Sequence, residues 1–62
     1  MEVEVRDGEL IVERGEFLAV YYKVANQPQL ILRHRTHTDD FELLAKAWKA
    51  ACDKARELGW IV

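Results

Sequence analysis

Sixty-two residues, half of them hydrophobic and 32% charged, with a formal net charge of −2, have the balance of one globular domain spanning residues 1–62. The longest apolar run, Phe17 to Tyr22, has six residues, far below the ~20 that cross a bilayer, and the acidic, alternating start lacks the pattern of a secretory leader. With one cysteine, Cys52, the chain has no disulfide framework, and a reducing, cytoplasmic compartment is the expectation.

The hydrophobic period changes once, between Thr36 and Asp40, from strand-like alternation to a 3.6-residue stripe. The predicted fold is therefore α+β: a two-layer sandwich of an antiparallel β-meander of three to four strands, at about residues 2–6, 9–13, 16–24 and 29–36, and one C-terminal helix, about 39–58, on one sheet face. Asp7-Gly8 is a type I′ hairpin signal, because both central residues tolerate positive φ. A two-residue loop there pairs Val5 with Leu10 and Val3 with Val12 on a shared face.

Glu13-Arg14-Gly15 suits a three-residue loop with Gly15 in the left-handed position of a bulge. That register points Leu18, Val20, Tyr22 and Val24 toward the core and Phe17, Ala19, Tyr21 and Lys23 away from it. Asn26-Gln27-Pro28 forms the last turn, after which Leu30, Leu32 and His34 join the core face and Ile31, Arg33, Arg35 and His37 the other. In the helix, Asp39 with Glu42 reads as a capping box, with Thr38 competing as N-cap. Phe41, Leu44, Ala45, Trp48, Ala51, Cys52, Ala55 and Leu58 make the apolar stripe, and Leu43, Ala47 and Ala50 a smaller one. Gly59 is the expected stop, with Trp60 folding back on the last turn.

Charge is unevenly placed along this frame. Residues 1–16 carry Glu2, Glu4, Asp7, Glu9, Glu13 and Glu16 against Arg6 and Arg14, a net −4. Residues 17–38 carry Lys23, Arg33 and Arg35 and no acid, a net +3, and the remainder nets −1.

Little in the sequence points to catalysis, and the expectation is a protein that is not an enzyme and needs no cofactor. The chain has no serine, its cysteine sits in the helical stripe, and Gly8, Gly15 and Gly59 are isolated turn residues that form no phosphate loop. Asp39 and Asp40 are adjacent at a helix start, the place for a cap. His34 and His37 stand three positions apart, so a regular strand sends them to opposite faces, and no metal site is expected.

A single helix covers one face of a sheet and leaves the other bare. On the register above, the bare face presents Phe17, Tyr21, Ile31, Arg33 and Arg35 as an interaction surface. The expected function is a small non-enzymatic protein-interaction module, a homodimer through that face, with another protein as a possible partner. The alternative is nucleic-acid binding, with the aromatics stacking on bases and Lys23, Arg33, Arg35 and His37 neutralising phosphates. The acids Glu2, Glu4 and Glu9 on the same face argue against a long nucleic-acid track and for a contact of acidic edge with basic edge.

Overall fold

The computed structural model describes residues 1–61. Four antiparallel strands, β1 (Glu2–Arg6), β2 (Glu9–Arg14), β3 (Phe17–Lys23) and β4 (Leu30–Arg35), form one sheet in the order β1-β2-β3-β4, and α1 (Phe41–Glu57) follows. This is the expected α+β meander with a single C-terminal helix. The first hairpin forms as its turn chemistry dictates: Asp7 and Gly8 both have positive φ, 49° and 78°, and Val5 pairs with Leu10 and Val3 with Val12.

The second turn overturns the three-residue loop. Gly15 (φ 59°) and Glu16 alone connect the strands, and Arg14 pairs with Phe17, Val12 with Ala19 and Leu10 with Tyr21. Glycine at the first central position of a two-residue loop is the type II′ arrangement, whose twist matches that of the flanking strands. The one-residue difference in loop length reverses every side chain of β3. Phe17, Ala19 and Tyr21 therefore enter the core, at 6%, 0% and 4% exposure, while Leu18, Val20 and Tyr22 lie on the face without a helix.

A bulge in β4 restores part of the expected pairing. Tyr21 pairs with Leu32, but the next residue of β3, Val20, pairs with His34, so Arg33 is the extra residue. Beyond it Ala19 lies beside Arg35, as the alternation suggested, though on the helix side. His34 correspondingly sits with Val20 on the uncovered face and not in the core. Thr36 closes the strand: its N–H donates to the Leu18 carbonyl (2.8 Å) and its Oγ1 accepts from the Leu18 N–H (3.1 Å).

Two cross-strand rows floor the core, Val5-Leu10-Tyr21-Leu32 and Val3-Val12-Ala19-Arg35. Leu10 and Val12, in the central part of the sheet, are fully buried, a contribution of about 1.5–3 kcal/mol each. The helix meets them with Ala47, Ala51 and Ala55, spaced four apart and wholly buried, and with Cys52. Small residues let the helix axis come close to the sheet, and α1 lies chiefly over β2 and then β1. Trp48 reaches toward β3, its ring 5.6 Å from that of Tyr21 at a 54° tilt, a geometry worth about 0.5–1.5 kcal/mol beyond area burial.

The helix ends are fixed by local hydrogen bonds. Asp40, not Asp39, is the N-cap: its Oδ1 accepts from the Leu43 N–H at 3.0 Å, and its own N–H donates to Thr38 Oγ1 at 3.1 Å. With the cap at Asp40 the third helical residue is Leu43, so Glu42 cannot complete a capping box. At the other end Gly59 (φ 77°) allows its N–H to reach the Arg56 carbonyl and the Trp60 N–H to reach that of Ala55, the paired bonds of a Schellman motif. Trp60 folds back and packs, half-buried, against the core. On the exposed side Lys49 and Asp53 pair at 2.7 Å. That hydrogen bond holds the Asp53 carboxyl below its ordinary range, so its support for the helix is present above the unfolded carboxylate's pKa and fades as pH falls through the lowered value.

Two outcomes follow from this register and capping. Tyr21→Glu should abolish cooperative unfolding, because it puts a carboxylate into a filled core, whereas Tyr22→Glu should leave a folded protein by circular dichroism and proton NMR dispersion. Asp40→Ala should cost about 1 kcal/mol in urea-monitored stability, against a few tenths or less for Asp39→Ala.

Candidate interaction surface

The face of the sheet away from α1 is organised in cross-strand rows by the same pairing. The central row runs Glu4-Ile11-Val20-His34 and the next Arg6-Glu9-Tyr22-Ile31. A third, at the opposite end, runs Glu2-Glu13-Leu18 and ends at Thr36. Ile11, Leu18, Val20, Tyr22 and Ile31 thus form a connected apolar strip across the middle of the sheet, each at least partly exposed. Acids lie along β1, which also carries Arg6, and toward both ends of β2, while Arg33 and His34 enter the face from β4.

Arg33 is the most constrained charge on this face. The bulge places its guanidinium over the Tyr22 ring, 5.0 Å from the centroid, with its Nε 2.9 Å from Glu9 Oε2 in an ion pair. Arg33 and Glu9 side chains remain 60% and 30% exposed, so the pair contributes at most about 1 kcal/mol to stability. Its effect is to hold a cation flat on the aromatic ring beside Ile31.

The residues expected to form the interaction face divide between the two sides. Ile31 (38% exposed) and Arg33 lie on the uncovered face, whereas Phe17 and Tyr21 are core residues. Arg35 is on the helix side beside Ala19, half-buried, with its Nη1 donating to the Thr36 carbonyl at 3.3 Å. Lys23 lies on the helix side at the end of β3. His37 is beyond β4 and almost fully exposed, its Nε2 3.9 Å from Asp39 Oδ1. Sequence reasoning missed Leu18, Val20 and Tyr22 as members of this face; the signal that finds them is Gly15-Glu16 taken as a complete two-residue turn.

A second exposed apolar region lies on the helix side. Because α1 sits over β1 and β2, the outer part of β4 is poorly covered, and Leu32 is 42% exposed two strands away from fully covered Leu10 in the same row. Trp48 at 45% and Phe41 at 79% continue this region along the helix flank. Next to it, Pro28, Gln29, Leu30, Trp48, Cys52, Arg56 and Ile61 line a shallow depression. Burial pushes the Cys52 thiol up, with Arg56 opposing and Asp53 adding to the shift. The Tyr21 phenol is raised by burial and by its proximity to Cys52, against the pull of Arg35.

Among the described residues no group of three or more His, Cys, Asp or Glu side chains is placed to hold a metal ion, and no helix is long and apolar enough to cross a membrane. Compared with known proteins, the chain matches no protein-family model, no curated protein and no solved structure. The geometry therefore defines a class only: a small α+β domain with an apolar sheet face framed by charge.

Proposed function

We propose that this protein is a small, non-enzymatic interaction module that self-associates through its uncovered sheet face. The observation that carries this reading is the apolar strip Ile11-Val20-Tyr22-Ile31 across a face whose acids lie along β1 and toward the ends of β2, with Arg33 folded over Tyr22. An apolar centre with a charged, wet rim is the anatomy of a protein contact. A domain of this size buries roughly 60% of the surface its unfolded chain exposes, less than larger domains do, so a second copy against that face adds apolar burial where it is scarce. The same reading sets the module in a reducing, cytoplasmic compartment, on the ground that its single cysteine is free and buried.

Size limits the strength of the contact. Strands about 20 Å long at ~4.8 Å spacing give a face of roughly 400 Å², so a face-to-face pair lies at or below the lower end of specific interfaces, about 1,200 Å² in total. The dimer is accordingly weak and concentration-dependent. Nucleic-acid binding draws less support: Phe17 and Tyr21 are buried and cannot stack on bases, and Arg33 is engaged by Glu9 and Tyr22.

Sedimentation equilibrium tests the reading. Wild type should dimerise with a Kd on the order of tens of micromolar, and Val20→Glu or Ile31→Glu should weaken it at least about tenfold, equivalent to about 1.4 kcal/mol. Phe41→Glu, on the other side of the molecule, should leave it unchanged. A wild type that stays monomeric at several hundred micromolar removes the proposal, and dissociation by Phe41→Glu alone moves the contact to the helix flank.

A further inference from the structure

The cross-strand rows also decide how two copies meet, an inference that rests on the self-association proposed above. Two sheets packed face to face keep their strands within about 30° of one another, and a twofold axis lying between them has two choices. It runs along the strands or across them.

An axis across the strands lays the central row on its own copy. Glu4 then meets Glu4, and the flanking rows exchange so that Glu13 meets Glu9. Only Glu2 on Arg6 is favourable. Like charges brought opposite one another destabilise such a contact, and here one pair lies in the central row.

An axis along the strands, midway between β2 and β3, reverses the strand order and brings β1 of each copy onto β4 of the other. The central row then reads Glu4 on His34, Ile11 on Val20, Val20 on Ile11 and His34 on Glu4. Arg33, 60% exposed, stays over Tyr22 and against Glu9 of its own chain. Glu2 falls on Thr36, Glu13 on Leu18 and Arg6 on Ile31, and no like charges oppose. Glu9 faces Tyr22 but keeps Arg33 of its own chain as partner. We propose that the protein forms an isologous dimer about an axis parallel to its strands, Glu4 of β1 in each copy seated on His34 of β4 in the other.

Single-cysteine variants distinguish the two axes. In a Cys52→Ala background, Glu4→Cys and His34→Cys each introduce one thiol at opposite ends of the central row. Under mild oxidation at a concentration where sedimentation gives dimer, neither variant alone should cross-link appreciably, whereas their equimolar mixture should yield disulfide-linked heterodimer. As an independent readout, Glu4→Arg should loosen the non-covalent dimer severalfold, and adding His34→Glu to the same chain should recover it. Efficient self-cross-linking of Glu4→Cys overturns the strand-parallel axis while leaving self-association standing. A dimer that cross-links in none of the three samples also overturns it, and a Cys52→Ala protein that is monomeric, like its parent, removes the underlying reading instead.

Discussion

The turn at Gly15-Glu16 controls the rest of the molecule. A two-residue loop with glycine at positive φ fixes the parity between β2 and β3, and parity decides which of two apolar sets in β3 faces the helix. Phe17, Ala19 and Tyr21 go inward as one set, and Leu18, Val20 and Tyr22 outward as the other. Ala19 and the helix alanines bring the layers together at the centre, and Phe17, Tyr21 and Trp48 fill the space around them. Had the loop been one residue shorter or longer, the large side chains would occupy different rows and the helix would need a different seat.

That seat explains the uneven covering of the sheet. A helix with alanine at its closest approach sits low over β1 and β2, and its larger residues fall on its flanks. On the β4 side the consequence is an exposed Leu32 and Trp48, and an edge strand shielded by its own arginines and a bulge. Both devices discourage unplanned strand addition. The bulge has a second effect, since it sends Arg33 and His34 to the uncovered face together.

Much of this was legible from the residues, and the limits have a physical origin. Asp7-Gly8 admits one turn type, so the first hairpin and its pairing follow directly. Gly59 and Trp60 likewise declare the helix stop, because few other residues permit that backbone. The second turn is different: Glu13-Arg14-Gly15 and Gly15-Glu16 are both reasonable loops, and Phe17 to Tyr22 is apolar on both parities, so alternation could not arbitrate. Phe17 and Tyr21 were placed on the wrong side for that reason. Arg35 was misplaced for another, since a bulge in Leu-Ile-Leu-Arg-His-Arg leaves no mark in composition. The bare face itself was legible from counting one helix against two sheet faces; its membership was not.

Cys52 has a use that its chemistry alone does not suggest. It is the chain's one thiol, 8% exposed, set in the helix face that covers Leu30 and next to Trp48. Burial pushes its thiol pKa up and slows its reaction with thiol reagents. A thiol reagent in excess therefore waits on the C-terminal half of α1 lifting from the sheet, and its labelling rate counts those openings. The unmodified protein carries its own gauge of how firmly its only helix is held.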